Sequence, residues 1–304
     1  MNILDIIDVD LKSKSKTHFA IFNGKQIKYL IDVNDKNYYN NLIKNQSSYS
    51  INHSIFKYLI KVLPNSLSIL LPRVKGCNLK INTALRSCLH NNIKDKVIGY
   101  NYIIGTEGKH QKIVVQAVCE DKNIYVKIGN NNTKELIINE SRVYKVLNNL
   151  DLCFITPKLL FEYSKNGINI NALTEVKGSE VTTQFNKDIL RLYQEIANIK
   201  YDLNQNNENI ELEFSHGDFA PWNIKKYNDE FIVYDWEYAK MRFKGYDVIH
   251  YIFQVEYLLN KLTIEEALDK AITNAKKYVT YLQTLDNSYI KNLYLDERKI
   301  TYLE

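Results

Sequence analysis

The sequence contains few cysteines, prolines and glycines for a chain of 304 residues: four, four and ten, respectively. So little glycine and proline excludes a collagen-like or low-complexity chain. No cysteine has C-x-x-C spacing with another cysteine or a histidine at metal-ligand spacing, which gives no support to a zinc site or a disulfide framework. We therefore expect reduced, packed thiols at the four positions, which are Cys77, Cys88, Cys119 and Cys153.

Arginine and long apolar runs are also scarce. Only six of the 40 basic residues are arginine, and the formal net charge is +5. Because arginine is the residue that pairs bidentately with phosphate and guanine, we expect no nucleic-acid partner. The longest apolar stretches, such as FKYLIKVL and SILLP, fall far short of the ~20 residues that span a bilayer, so we expect no transmembrane segment. The N-terminus lacks the basic-then-apolar layout of a signal peptide, and we expect a cytoplasmic protein whose oligomeric state stays open.

The sequence does contain enough apolar residues, 45%, to bury the core of one large domain or two modest ones. Near the N-terminus, the runs THFAIF and KQIKYLIDV flank Asn23-Gly24, a favoured type I′ turn pair, and predict a β-hairpin. Helices are expected at 38–44 and 54–63, a buried strand follows at 66–72, and a further helix at 82–93. These elements predict a small N-terminal α/β extension over residues 1–96.

From residue 97 the pattern changes to alternating strands and then to helices. Residues 97–129 read as three strands, KELIINESRVYKVLNNL fits a helix, and INALTEVKG is a further strand. TQFNKDILRLYQEIANIKYDL is predicted as one amphipathic helix. A second long helix is predicted over IEEALDKAITNAKKYVTYLQTL, opened by a capping box of Thr263 and Glu266. The segment between these two helices predicts a loop and two short strands.

That segment holds the side chains with the clearest chemistry. His216-Gly217-Asp218 is followed five residues later by Asn223, and the apolar strand FIVY leads into Asp235. Phosphoryl transfer from ATP needs a carboxylate that orients the acceptor hydroxyl and accepts its proton, and a carboxamide with a second carboxylate to hold Mg²⁺. The spacing Asp-x-x-x-x-Asn is that of the kinase catalytic loop. We assign Asp218 as the catalytic residue and Asn223 and Asp235 as magnesium ligands, with His216 as a packing and hydrogen-bonding element.

A lysine and a glutamate upstream complete the set. Lys127 lies in the predicted strand IYVKIG, where a cation can reach the α- and β-phosphates of ATP. Glu140 lies in the following helix, where it can pair with Lys127 and hold that side chain straight. Neither residue is informative alone. Both assignments are supported by the order along the chain, in which a lysine in a strand is followed by a glutamate in the next helix and then by the Asp/Asn/Asp set.

The segment resembles the aminoglycoside phosphotransferase and choline kinase-like family, through HGDFAPWNI, VYDWEYA, the hinge-like LTEVKG and KGYDVIHYI. The resemblance implies a protein-kinase-like bilobal α+β fold, with an antiparallel-sheet N-lobe over 97–176 and a mainly helical C-lobe over 177–304. It also implies that ATP or GTP binds with Mg²⁺ and that Asp247 anchors the catalytic loop. Further contacts carry over from the same resemblance: a phosphate loop with Gly105, Thr106 and Gly108, a hinge at Glu175 and Val176, and a possible acceptor contact at Glu237. The loop reads GTEG and departs from G-x-G-x-x-G, and Glu237 fits a salt bridge at the strand end equally well.

The acceptor is less defined. Only about 40 residues separate Gly178 from His216, too few for the large acceptor-binding insertion of aminoglycoside kinases. A similarity to phosphotransferase-like proteins of bacterial surface-polysaccharide assembly ranks a sugar or glycan hydroxyl first, a choline-like amino alcohol second and an aminoglycoside third. Two other classes remain: a nucleotide-binding pseudokinase or regulatory module, and a protein kinase. The intact Asp218, Asn223, Asp235 and Lys127 argue against the first, and the missing A-P-E segment argues against the second.

Overall fold

The computed structural model describes residues 6–35, 74–105, 107–165, 167–201 and 210–302. The chain divides into two compact units, which are described separately. The first comprises Met1–Ser141 and Lys158–Glu175, and the second Arg142–Pro157 and Val176–Glu304. The helices and strands predicted at 38–44, 54–63 and 66–72 lie outside the described residues.

The first unit is built on one nine-stranded antiparallel sheet with the order β1-β4-β2-β3-β5-β6-β7-β9-β8. Its strands are β1 (Ile7–Asp10), β2 (His18–Asn23), β3 (Gln26–Asp32), β4 (Val74–Ile81), β5 (Val97–Ile104), β6 (Ile113–Cys119), β7 (Asn123–Gly129), β8 (Leu159–Lys165) and β9 (Ile168–Thr174). Helix α1 (Thr83–Asn92) follows β4, and helix α2 (Lys134–Leu147) follows β7, beginning in the first unit and ending in the second. The sheet therefore continues across residue 96, and the domain boundary placed there stays a prediction.

The two faces of this sheet differ, because residues paired across strands share a face. Ile104 pairs with Ile113, which pairs with Ile128, and all three are buried in the main hydrophobic cluster together with Leu85 and Leu89 of α1. On the opposite face, Ile103 pairs with Val114 and Val114 with Lys127. The alternation in β7 thus buries Val126 and Ile128 in the core and leaves Lys127 on the other side.

The second unit is mainly helical. Its helices are α3 (Lys187–Ala197), α4 (Tyr246–Gln254), which continues as a π-helical turn Val255–Leu259, α5 (Ile264–Ala275), α6 (Thr280–Gln283) and α7 (Asn287–Tyr302). Two small antiparallel sheets accompany them: β10 (Ser179–Glu180), β12 (Ile224–Tyr227) and β13 (Glu230–Val233) form one, and β11 (Leu212–Ser215) and β14 (Lys240–Phe243) form the other. The α+β prediction, with an antiparallel sheet followed by a mainly helical part, is confirmed. Within the described residues, no helix combines the length and apolarity needed to span a bilayer.

Three local predictions need correction. The helix predicted over 183–203 is only Lys187–Ala197, because the Asn186 side chain caps it by accepting hydrogen bonds from the backbone N–H groups of Asp188 and Ile189. The long helix predicted over 264–285 is divided into α5 and α6, because Val279 adopts an extended conformation and is buried. The capping box of Thr263 and Glu266 at the start of α5 is confirmed.

The third correction concerns the first hairpin. Asn23 pairs with Gln26, so the central turn residues are Gly24 and Lys25, and positive φ is adopted by Gly24 at 62°. Glycine at the first central position is typical of a type II′ turn, not of the predicted type I′ turn.

Three of the thiols are buried as expected, whereas Cys153 is exposed.

Candidate active site

The loop that carries Asp218 is fixed by one buried carboxylate. Asp247, in the first turn of α4, accepts hydrogen bonds from the Ser215 hydroxyl at 2.8 Å, the His216 backbone N–H at 2.7 Å and the Gly217 backbone N–H at 3.0 Å. Hydrogen bonds to a carboxylate are stronger than those between neutral groups. Three such bonds, from three successive residues, hold this loop in place, which agrees with the anchoring role predicted for Asp247.

Gly217 is required by the same loop. Its φ is +84°, and a Cβ at this position would lie 2.4 Å from the Tyr238 carbonyl oxygen and 2.7 Å from Nη1 of Arg242. A side chain is therefore excluded both by backbone conformation and by space. The backbone at Gly217 therefore lies directly against the side chain of Arg242 in β14.

His216 is buried and has both ring nitrogens in hydrogen bonds. The Asp218 backbone N–H donates to Nδ1 at 3.2 Å, so the proton of a neutral ring sits on Nε2, which donates to the Tyr234 carbonyl oxygen at 3.0 Å. The ring also contacts Trp236, with centroids 4.5 Å apart. His216 thus ties the loop to the residue before Asp235, as the predicted packing element and not as a base.

The Asp218 carboxylate is held at both oxygens. Nε2 of His250 lies 3.0 Å from Oδ1, and Nδ2 of Asn223 donates to Oδ2 at 2.8 Å. Burial alone would raise the pKa of this carboxyl, but the hydrogen bond from His250 outweighs that effect and holds the pKa below its usual value. The side chain keeps 20% of its surface exposed. Asp218 is thus an oriented, ionised carboxylate that a hydroxyl group can reach.

Asn223 and Asp235 are the side chains suited to a cation. Nδ2 of Asn223 donates to both the backbone oxygen and Oδ2 of Asp218, each at 2.8 Å, which leaves its carbonyl Oδ1 as the atom for a metal. Asp235 follows β13 in the left-handed conformation, with φ 71° and ψ 52°. Its negative charge raises the pKa of Asp218, so the two carboxylates interact.

These two oxygen donors are compatible with a magnesium site. In the part of the chain that the structure describes, no three His, Cys, Asp or Glu side chains converge on a metal position. Mg²⁺ is commonly held by one or two protein oxygens, with substrate phosphates and water completing the octahedron. Oδ1 of Asn223 and the Asp235 carboxylate provide such a pair.

In the first unit, Lys127 and Glu140 form the predicted pair. The distance between Nζ and Oε1 is 2.5 Å, and the side chains are 13% and 0% exposed. Nδ2 of Asn171, which pairs with Lys127 across the sheet, donates to Oε2 of Glu140 at 3.3 Å and to the Ile137 carbonyl oxygen at 2.7 Å. The carboxylate is therefore held at both oxygens, and it extends the lysine along the sheet face.

The Lys127 face of the sheet also carries a partly exposed strip that the sequence reasoning missed. Ile103, Val114 and Tyr125 lie on this face beside Lys127, and each is only half-buried, whereas their alternate neighbours are core residues. Nε2 of Gln116 donates to the Tyr125 hydroxyl at 3.0 Å and fixes its ring. The signal was available in β7, NIYVKIG, where polar and apolar residues alternate, whereas Ile103 and Val114 lie beside apolar neighbours and gave no signal.

The remaining predicted contacts lie in loops. Gly105 donates its N–H to the Lys112 carbonyl oxygen at 2.8 Å, and Gly108 has φ 148° with no atom near the position of a Cβ. Both belong to the β5–β6 connection, and Thr106 lies outside the described residues. Glu175 and Val176 follow the end of β9, and Oε1 of Glu175 accepts a hydrogen bond from Asn123 at 2.7 Å. The nucleotide contacts assigned to these residues stay predictions.

Glu237 is placed in the short 3₁₀ turn Trp236–Tyr238 that follows Asp235. It is only 5% exposed. The acceptor contact and the salt bridge expected of this carboxylate both stay predictions.

No protein-family model matches the chain, and no curated protein sequence matches it. Among solved structures, it is similar to the aminoglycoside phosphotransferase APH(3'')-Id from Streptomyces rimosus in complex with ADP and streptomycin, with 13% identity, a TM-score of 0.47, and coverage of 72% of this chain and 98% of that one. It is also similar to an aminoglycoside-3'-phosphotransferase of type VIII, with 10% identity, a TM-score of 0.44, and coverage of 62% and 89%. A fructosamine-3-kinase-like protein from Haemophilus somnus matches with 11% identity, a TM-score of 0.37, and coverage of 66% and 92%. Any functional conclusion must therefore rest on the arrangement of the side chains and not on these structural similarities.

Proposed function

We propose that the chain is a small-molecule kinase, which transfers the γ-phosphoryl group of ATP or GTP to a hydroxyl group with the help of Mg²⁺. The observation that carries this proposal is the Asp218 carboxylate, ionised, oriented at both oxygens and joined to Asn223 by a side-chain hydrogen bond, with Asp235 in electrostatic contact. A general base must be deprotonated and fixed within reach of the hydroxyl it serves. Asp218 is ionised and fixed in orientation, and 20% of its side-chain surface is exposed for contact with a hydroxyl group.

The proposed reaction assigns a separate task to each of these side chains. Asp218 would orient the acceptor hydroxyl and take its proton as the oxygen forms a bond to the γ-phosphorus. The bond from that phosphorus to the β–γ bridging oxygen breaks, and ADP leaves. Asn223 and Asp235 would hold magnesium, which neutralises charge on the phosphates when bound. Lys127, extended by Glu140, would bind phosphate oxygens as a fixed cation.

For the acceptor we propose a polyhydroxy compound, a sugar or glycan. The segment from Gly178 to His216 contains α3 as its one described helix, and this supports a small acceptor site in place of a large insertion. A choline-like amino alcohol and an aminoglycoside are the alternative acceptors. A nucleotide-binding pseudokinase would keep the nucleotide contacts without turnover, so activity separates it from the proposal.

Binding and turnover of Mg²⁺-ATP by matched variants test the proposal. Wild-type protein should show a thermal shift with ATP that requires Mg²⁺. Asp218→Ala should keep that shift and lose turnover by orders of magnitude, whereas Asp235→Asn should lose the Mg²⁺ dependence. Asp269→Ala serves as the control, because this carboxylate is 57% exposed on α5 and has no role in the site. Equal turnover by Asp218→Ala and the wild type would refute the catalytic assignment.

A further inference from the structure

A histidine outside the predicted motif contacts the proposed catalytic carboxylate. His250 lies on α4, a helix whose nine residues are all buried. Its side chain is 0% exposed, and Nε2 lies 3.0 Å from Oδ1 of Asp218, which is 32 residues away in sequence. A fully buried imidazole in this position has no access to solvent and is surrounded by protein on every side.

The partners of His250 define which nitrogen carries the proton. Nδ1 lies 2.9 Å from the hydroxyl of Tyr294 on α7. Burial raises the pKa of that phenol well above its usual value, so Tyr294 keeps its proton and donates it to Nδ1. Burial also lowers the pKa of His250, against the opposing effect of Asp218, and keeps the ring neutral. The ring proton is then on Nε2, which donates to Oδ1 of Asp218.

The other groups around the ring complete this environment. The ring of Tyr246 stacks on His250 at 5.6 Å between centroids, and the Gln254 amide group lies 3.1 Å from Nε2, where its oxygen is the atom able to accept from Nε2–H. Asp247 raises the pKa of His250 and Arg298 lowers it. The ring is thus clamped by stacking and by hydrogen bonds on both nitrogens, which fixes the direction of its Nε2–H bond.

We propose that His250 is a positioning residue for the phosphoryl transfer inferred above: its Nε2–H bond, oriented by Tyr294, holds Oδ1 of Asp218 while Asn223 holds Oδ2. The carboxylate then has one orientation when it meets the acceptor hydroxyl. His250 acts through Asp218, because its ring is completely buried and has no exposed surface for an acceptor to reach. This inference rests on the proposed function for its catalytic meaning, but the contact itself can be tested without turnover.

The first experiment observes the hydrogen bond itself at constant pH. Protein labelled with ¹⁵N at histidine is studied by long-range ¹H–¹⁵N NMR, and the His250 ring signals are assigned with His250→Gln. The wild-type ring should carry its proton on Nε2 and none on Nδ1. Asp218→Asn should shift the Nε2 signal, because the carboxylate that accepts this hydrogen bond is replaced by an amide. His90→Leu, at an exposed position of α1, should leave the His250 signals unchanged.

The second experiment follows variants of His250 in turnover. His250→Leu should lower kcat roughly 10- to 100-fold at neutral pH with little change in the KM for ATP. His250→Gln, whose amide N–H can replace Nε2–H, should recover most of that loss. If His250→Leu does not fold, Tyr294→Phe gives the second route, because the ring loses the donor that fixes its tautomer; its effects should be in the same direction and smaller.

The outcomes separate the two proposals. A His250 ring without a proton on Nε2, or an Nε2 signal that is unchanged in Asp218→Asn, overturns the positioning role whatever the activity. A protonated Nε2 that responds to Asp218→Asn supports it, even if no acceptor is phosphorylated. Absence of Mg²⁺-dependent nucleotide binding in the wild type counts against the proposed function alone.

Discussion

The Lys127–Glu140 pair allows the stability of the first unit to be separated from its proposed role in nucleotide binding, first by removal of Glu140 and then by replacement of both residues. The carboxylate is completely buried and lies 2.5 Å from Nζ of Lys127, which is 13% exposed. At an effective dielectric constant of 20, Coulomb's law gives about 6 kcal/mol of attraction for unit charges near this separation, much of it offset by the loss of hydration. Glu140→Ala leaves the lysine charge without its carboxylate, and we expect a loss of about 3–5 kcal/mol in the free energy of unfolding.

A double variant distinguishes this explanation from simple loss of packing. In Lys127→Met/Glu140→Met both charges are replaced by apolar side chains of similar length, so most of the lost stability should return. Nucleotide binding should not return, because the cation proposed to contact phosphate is absent. Chemical denaturation monitored by fluorescence measures the first quantity, and calorimetric titration with Mg²⁺-ATP measures the second.

The same unit contains a control pair of the same residue types. Lys96 and Glu120 lie 2.6 Å apart, but their side chains are 77% and 55% exposed. Solvent screens such a pair, so Glu120→Ala should change neither stability nor nucleotide binding measurably. The reasoning fails if Glu140→Ala is as stable as Glu120→Ala, or if the double variant is no more stable than Glu140→Ala.

Two further predictions follow from the second unit. Gly217→Ala should unfold at a lower denaturant concentration than the wild type and lose activity, since its Cβ would lie 2.4 Å from a carbonyl oxygen. The control is Gly24→Ala, where φ is +62° and no atom lies within 4 Å of the Cβ position; its free energy of unfolding should fall by only about 1 kcal/mol. Burial raises the pKa of Glu213 to about 7 from 4.5, so the folded state binds the proton more tightly than the unfolded state does. The free energy of unfolding should therefore fall by about 3 kcal/mol as pH rises from 4.5 to 7, and Glu213→Gln should flatten that dependence in denaturation curves. A dependence that is the same in Glu213→Gln would contradict this assignment.

The parts of the site that could be predicted from sequence are those set by short-range spacing. Asp218 and Asn223 are five residues apart in one loop, and the hydrogen bond between them follows from that spacing. The Lys127–Glu140 pair followed from a strand and the helix after it, elements that are adjacent in the chain. Sequence order is sufficient in both cases because the connecting chain is short.

His250 was missed because its contact with Asp218 depends on packing between distant elements. The motif KGYDVIHYI drew attention to Asp247, and a lone histidine in an apolar helix is usually a core residue. Similarly, the pairing of β1 with β4 joins residues 7–10 to 78–81, and no local pattern specifies it. The available clue for His250 was its position three residues after Asp247 on a helix with no exposed face.

Phosphorus NMR of an ATP reaction tests the central claim most directly. Wild-type protein with Mg²⁺-ATP and a pool of sugars, choline and an aminoglycoside should convert the γ-phosphate signal into a new phosphomonoester signal, and the sugar arm should contain it. Asp218→Ala should bind Mg²⁺-ATP with similar affinity and form no phosphomonoester. Formation of the same product at the same rate by Asp218→Ala would contradict the account.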